Sequence, residues 1–353
     1  MSTINNEESR VSRRSSKKKK KKSKLKGFLL FTCVGIIFTA ITFPLYIFYG
    51  PFKDVRDLLV GISMSTGNYQ FVAKMFFSDE KIAEILNAQG EEANNNVKLF
   101  TSVQEQDYED EGDEDIIRKD ISDSKYDGIA LIIKDPTRVK VGYSSRIGEV
   151  GETVSDMAAK YGAVAAVNGG GYLDVSSDGN GGIPLGILIS DGEVINPKDE
   201  SEYYISNKEH KPVVFSINSN GELYVGQASV SDLLEMDSQQ AISFEPTLVV
   251  DGEPYISQTT LHGLNPRTAI GQRADGSIIL LVIDGRQGLK LGATLQDVQS
   301  IMLQLGAVNA MCLDGGGSTA MYYIGEIINN PSNLTGERCV PDIIYVKYKG
   351  EKQ

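Results

Sequence analysis

Residues 27–49, GFLLFTCVGIIFTAITFPLYIFY, run for twenty-three positions without one charged side chain. This stretch limits what the chain can fold into more than any other. At 1.5 Å per residue, a helix of that length spans the ~30 Å hydrocarbon core of a bilayer. A cleaved leader has a shorter apolar centre, roughly 7–15 residues, followed by a small-residue cleavage site. Here the run leaves through Phe43-Pro44-Leu45-Tyr46 into Gly50-Pro51, so it reads as an uncleaved signal anchor. Residues 1–26 carry eleven basic side chains against Glu7 and Glu8, a net of +9. The positive-inside rule then puts the N-terminus in the cytoplasm and everything after Pro51 outside the cell membrane. Beside a span, the lysines at 17–22 suit anionic lipid head groups better than a nucleic acid. The whole chain has a formal charge of -12, which leaves -21 for the remainder. A body that acidic repels phosphate chains, and nucleic-acid binding is excluded.

Composition divides the chain into a basic cytoplasmic tail (1–26), the anchor (27–49), a stalk with an acidic linker (50–120) and a folded domain (121–353). In the stalk, Ser78-Asp79-Glu80 has the form of a helix N-cap and first turn, behind the apolar Met75-Phe76-Phe77. Eight of the eleven residues at 105–115 are acidic, which suits a solvated spacer. The domain alternates periodicities. Strands are expected at 128–134, 139–143, 163–168, 184–189, 212–217, 222–225, 247–250, 277–284, 307–314 and 343–347, and helices at 153–161 and 294–306. Strand, helix and strand between 277 and 314 predict a crossover. The fold class is α+β or mixed α/β, with mixed β-sheets and few helices, in a single exported domain behind the transmembrane helix.

Thirty of the 36 glycines follow residue 100. Seven Asp-Gly pairs begin at Asp127, Asp178, Asp191, Asp251, Asp275, Asp284 and Asp314, and five need be no more than turns. Asp284 and Asp314 differ, because each ends a continuous apolar strand. The first runs on into Gly285 and Arg286, the second into Gly315, Gly316, Gly317 and Ser318. Consecutive glycines after a buried strand let backbone N–H groups approach an anion. Asn168-Gly169-Gly170-Gly171-Tyr172 repeats the device, and Asn265-Pro266-Arg267 places a cation at a strand entry. A nucleotide loop would need Lys-Ser/Thr and a helix, whereas Thr319 to Tyr323 reads as a strand. His210 and His262 are too few and too scattered for a histidine metal site or a Ser-His-Asp triad. Cys33 lies in the span. Cys312 and Cys339 could pair across the 26 residues between them or remain separate thiols.

NGGGY, NPRTAIG, VIDGR and LGAVNAMCLDGGGSTAM, in this order and spacing, resemble the phosphodiester glycosidase family, whose bacterial members are commonly labelled exopolysaccharide biosynthesis proteins. The resemblance covers roughly residues 125–347. It implies hydrolysis of a sugar-1-phosphodiester at the anomeric C–O bond. Matched by motif, Asp284, Asp314 and Arg267 are the catalytic candidates. Asn168, Gly169, Gly170, Tyr172, Arg286, Gly315, Gly316, Gly317 and Ser318 are the substrate-binding ones. Asp314 is assigned to the sugar side with Asp284 as its partner, and Arg267 stands either beside the phosphate or in an ion pair with Asp284. Many relatives have an aromatic directly after Asn-Gly-Gly; here Gly171 stands before Tyr172. With no Trp in the chain, one sugar and its phosphate in a surface glycan suit the site better than a long polymer. The same site could instead pass the sugar to another hydroxyl, as a transferase, or bind sugar phosphates without turnover. No cofactor or metal is required by this reading, although oxygen ligands for Ca²⁺ or Mg²⁺ are present without EF-hand spacing.

Overall fold

A computed structural model of the 353-residue chain describes residues 31–40, 42–64, 70–82, 84–85, 103–104, 114–173, 181–197, 211–256, 263–288, 290–333 and 335–349. The basic tail, the first residues of the apolar run, most of the acidic spacer and both histidines lie outside them. Two compact units are present, residues 1–60 and 61–353. The first holds helix α1 (Phe31–Tyr49), which is long and apolar enough, by length and composition, to cross a membrane. Helices α2 (Lys53–Met64) and α3 (Gln70–Phe76) follow. Ser78 then caps the next turn as expected, its Oγ accepting from the Lys81 N–H at 3.3 Å.

The larger unit is mostly β-sheet. In chain order its principal elements are β1 (Ile116–Ser122), β2 (Asp127–Ile133), β3 (Val139–Tyr143), α4 (Val154–Lys160) and β4 (Ala163–Asn168). Next come β5 (Leu188–Ser190), β6 (Glu193–Asn196), β7 (Val213–Asn218), β8 (Leu223–Gln227), α5 (Val230–Glu235), β9 (Ser238–Ser243) and β10 (Thr247–Val250). The last are β11 (Arg267–Arg273), β12 (Ile278–Ile283), α6 (Leu295–Gln304), β13 (Ala307–Leu313), β14 (Met321–Tyr323) and β15 (Asp342–Lys347). An eight-stranded sheet has the order Val103–Gln104, β1, β2, β12, β11, β13, β10, Glu253–Pro254. A second sheet runs Glu326–Ile327, β14, β4, β15, β3, and a third runs β8, β7, β9, β5, β6. Neighbouring strands in all three are antiparallel. The expected crossover is there: β12, α6 and β13 connect strands that both pair with β11, which is inserted between them. Residue 121, the domain boundary expected from composition, falls inside β1, whose partner is β2.

The IILLVI of β12 is buried on both faces, which is why it carries no alternation. One face joins a core shared by all three sheets, through Leu131, Phe215, Ile242, Ile270, Leu280, Met311 and Ile344. The other face packs under α6 through Leu295, Val298, Ile301 and Met302. Burying those four side chains contributes on the order of 6–12 kcal/mol. Helix α6 starts with a capping box between Thr294 and Asp297. Helices α4 and α5 cover the second and third sheets in the same manner. Two of the Asp-Gly pairs, Asp191-Gly192 and Asp251-Gly252, have positive φ at both residues, as tight hairpin turns require. Gly128 has another cause: it lies in β2, where a Cβ would come within 2.9 Å of the Val282 carbonyl. Strand β9 was not expected, because its Gln239 and Gln240 hide the apolar pattern. Gln240 is buried and bridges two sheets, accepting from the Val141 N–H at 2.8 Å and donating to Asp191 at 2.8 Å.

Candidate active site

The register of three strands brings the sequence motifs to one edge. Thr268 lies opposite Leu313, Arg267 opposite Ile283, and Ile343 opposite Asn168. The segments that leave β4, β12 and β13, and the one that enters β15, therefore emerge side by side.

Asn168, the last residue of β4, is fully buried. Its Nδ2 donates to the Asp314 carbonyl at 2.7 Å, and its Oδ1 accepts from Thr268 Oγ1 at 2.8 Å and from the Ala320 N–H at 3.2 Å. Expected to face substrate, this amide is instead a bracket tying the second sheet to the first and to the glycine-rich loop. The Asp314 N–H in turn donates to the Gly169 carbonyl at 3.0 Å.

The loop after Asp314 closes into a single 3₁₀ turn, Gly316–Ser318. The Gly315 N–H donates to Asp314 Oδ1 at 2.9 Å, and the Gly316 N–H to the Pro266 carbonyl at 2.9 Å. Gly316 sits at φ +63°, a conformation that favours glycine. Two of the three amides expected to cradle an anion thus turn inward and hold the Asp314 carboxylate and the loop itself. Ser318 favours the charged form of that carboxylate, and its Oγ lies 3.3 Å from the Tyr172 hydroxyl. Burial pushes the Asp314 carboxyl up to about 6, against the opposing pull of Ser318, the Gly315 N–H and the Arg338 charge.

Sequence reasoning missed Asp342, the first residue of β15, which is 1% exposed. Its Oδ1 accepts from the Gly170 N–H at 2.6 Å, and its carbonyl accepts from the Gly169 N–H at 3.0 Å. A Cβ on Gly169 would stand 2.1 Å from that Oδ1, so the glycines of Asn-Gly-Gly form a collar around a buried carboxyl. Burial, followed by the repulsion of Asp314 and opposed by the Gly170 N–H, raises Asp342 to about 7. The available signal was an acid opening an otherwise apolar strand, DIIYVK.

The structure sets the three expected catalytic side chains at the same sheet edge but gives them different partners. Arg267 donates from Nε to the Ala293 carbonyl at 3.2 Å and from Nη2 to the Gly263 carbonyl at 2.8 Å. Burial above all, with the nearby Arg286 charge, lowers its pKa. Asp284 accepts from Asn329 Nδ2 at 2.9 Å and the Asn330 N–H at 3.0 Å; Asn329 reaches on to the Thr319 carbonyl at 3.3 Å. These bonds order the loops around the site, and the acid whose pKa the Asp314 charge raises is Asp342, whereas Asp284 is raised by burial and by Asp127.

Two other guanidiniums flank the glycine loop. Arg286, held at φ +60°, donates to Asn265 Oδ1 at 2.8 Å. A Cβ on Gly316 would stand 3.5 Å from its Nη2. Arg338, which sequence reasoning also missed, lies with its Cζ 5.3 Å from the centre of the Tyr172 ring. A Cβ on Gly317 would touch its Cδ at 3.0 Å. Cys312 and Cys339 are separate thiols, and burial pushes Cys312 up to about 12. Among the described residues no three His, Cys, Asp or Glu side chains gather as a metal site.

A phosphodiester glycosidase family model matches residues 161–347. The chain is 32% identical over 219 residues to the SPbeta prophage-derived uncharacterized protein YomE of Bacillus subtilis (strain 168), covering 61% of this chain and 32% of that one. It is 28% identical over 199 residues to mouse N-acetylglucosamine-1-phosphodiester α-N-acetylglucosaminidase, covering 51% of this chain and 36% of the mouse protein. The match therefore spans about a third of each relative's length. Among solved structures, the zebrafish N-acetylglucosamine-1-phosphodiester α-N-acetylglucosaminidase catalytic domain, auto-inhibited by pro-peptide, aligns with a TM-score of 0.54 at 25% identity. That alignment covers 70% of this chain and 87% of the zebrafish one.

Proposed function

The chain belongs to the phosphodiester glycosidase family, and on that premise we propose that it is a membrane-anchored, extracytoplasmic hydrolase that frees a sugar from a sugar-1-phosphodiester in a surface glycan. The anchor reading rests on α1 and on the basic residues before it. One observation carries the chemistry: the Asp314 carboxylate sits at the root of a glycine loop that has one guanidinium against Gly316 and another against Gly317.

In this reaction the bond between C1 and the phosphate oxygen breaks, and the phosphomonoester leaves with the bonding pair. A phosphomonoester is a weak base that needs little protonation, so fixed positive charge beside its oxygens does more than a general acid would. The flanking guanidiniums supply that charge. Water delivers hydroxyl to C1 and loses its proton. The carboxylate facing the electron-poor C1 either attacks first or takes that proton. Asp314 suits this position. Ser318, the Gly315 N–H and Arg338 all favour its ionised form, so it is charged above about pH 6. Asp342, almost wholly buried, is a positioning residue for the Asn-Gly-Gly turn and so for Asp314.

The test is release of free GlcNAc from a GlcNAc-α-1-phosphomethyl diester by the full-length chain in detergent. Asp314→Asn is expected to lower kcat by ~10³-fold or more without lowering the thermal midpoint. A wild-type chain that releases no sugar, or an Asn variant that keeps wild-type kcat, refutes the reading.

A further inference from the structure

We propose that Arg338 is the side chain that recognises the phosphate of the leaving group and makes this site select phosphodiesters over neutral glycosides. The inference rests on the hydrolase reading above and deepens it.

Three observations support this role for Arg338. The first is restraint on both sides in the chain. Glu337 accepts from Ser155 Oγ at 2.5 Å and from the Ser155 N–H at 3.0 Å, at the start of α4. Val340 exchanges both backbone hydrogen bonds with Glu152, at 2.9 and 3.1 Å. A loop fixed at those two points presents Arg338 from a rigid base. The second observation is side-chain preorganisation. The guanidinium lies 5.3 Å from the Tyr172 ring centre, and its stem fills the space that a side chain on Gly317 would need. A guanidinium held over an aromatic face loses little freedom on binding, and its fork of N–H groups matches two phosphate oxygens. The third is place: the Arg338 stem lies 3.0 Å from where a Cβ on Gly317 would stand, on the loop that Asp314 begins, beside the leaving group of a sugar that Asp314 serves.

The same geometry explains Gly171. The extra glycine is followed by Tyr172, which lies under Arg338 while its hydroxyl meets Ser318. One aromatic therefore links the phosphate-binding cation to Ser318, on the loop that Asp314 begins.

The experiment compares the full-length chain with Arg338→Met and Arg338→Lys on two substrates: the GlcNAc-α-1-phosphomethyl diester and p-nitrophenyl α-GlcNAc, whose leaving group carries no phosphate. Removing a charge-assisted contact made to the leaving group is expected to lower kcat/KM for the diester by ~10²-fold or more. The neutral glycoside is expected to change by less than about fivefold, and Lys to restore part of the loss. An equal fall on both substrates overturns the proposal. A second readout, protection of the thermal midpoint by inorganic phosphate, does not depend on turnover. Phosphate should raise the wild-type midpoint and not that of Arg338→Met; protection of both, or of neither, overturns the assignment. If wild type cleaves neither substrate yet shows Arg338-dependent protection, the hydrolase reading fails while the phosphate site stands.

Discussion

Replacing Asp342 with Asn should make the protein more stable, and increasingly so as pH rises. In the unfolded chain a carboxyl loses its proton near the ordinary 3.8; in the folded one Asp342 keeps it to about 7. Between those values the folded state holds an extra proton, so its stability falls as pH rises through the window. The full effect is on the order of 4 kcal/mol above pH 7, and about 2–3 kcal/mol of it develops between pH 5 and pH 8. Asn mimics the protonated acid. It keeps an oxygen for the Gly170 N–H and fits beside Gly169 without added volume. Thermal unfolding of the full-length chain in detergent at the two pH values gives the measurement. At 2–4 °C per kcal/mol for a unit of this size, the midpoint advantage of Asp342→Asn should widen by roughly 5–10 °C from pH 5 to pH 8. Asp314, raised to about 6, gives both proteins a smaller fall of the same sign at lower pH, which cancels in the difference. An advantage that stays constant with pH, or a variant less stable than wild type at pH 8, would refute the argument that burial holds this carboxyl neutral.

Three further outcomes follow from the same geometry. Asn168→Ala leaves the Thr268 hydroxyl, the Ala320 N–H and the Asp314 carbonyl without their partner; at ~1 kcal/mol or more each, it should cost roughly 3–5 kcal/mol in thermal unfolding. Gly169→Ala forces a methyl to within 2.1 Å of a buried carboxylate oxygen. It should lose ~1–3 kcal/mol or more and lower kcat, and a variant with unchanged midpoint would mean the collar is loose. For the reaction itself, kcat should fall as pH drops below about 6, where Asp314 gains a proton, and a rate rising toward acid would assign Asp314 the opposite role.

Much of the architecture was legible because burial on two faces leaves an unambiguous trace. SIILLVID and AVNAMCLD are apolar without alternation, and both are central strands; the helix expected at 294–306 lies between them and buries Leu295, Val298 and Met302. What escaped was structure whose cause is polar and tertiary. Strand β9 reads as a loop until Gln240 is seen bridging two sheets. In the candidate site, the motifs did converge, because Asn-Gly-Gly, Asn-Pro-Arg and Asp-Gly-Gly-Gly-Ser all sit at strand ends that the register aligns. Their division of labour was not readable. Whether Asn168 faces outward or inward depends on Thr268, a hundred residues away. Arg338 and Asp342 carry no local motif, and only the return of the chain beside β4 brings them to Tyr172 and Gly170.

The pairing of Asp314 with Asp342 rather than with Asp284 also decides how the two carboxyls differ. Like charges buried close together cannot both ionise cheaply, so environment selects which one does. Asp314 has a hydroxyl, an amide and a cation around it; Asp342 has one amide and the repulsion of its neighbour. Asp314 thereby loses its proton first, above about pH 6, and Asp342 only above about pH 7. Asp284, hydrogen-bonded to Asn329 and the Asn330 N–H, keeps the loops in place without entering that competition. The pair of acids that the strand ends display is thus a catalytic candidate and its scaffold, and the electrostatic partner is the acid that the glycines enclose.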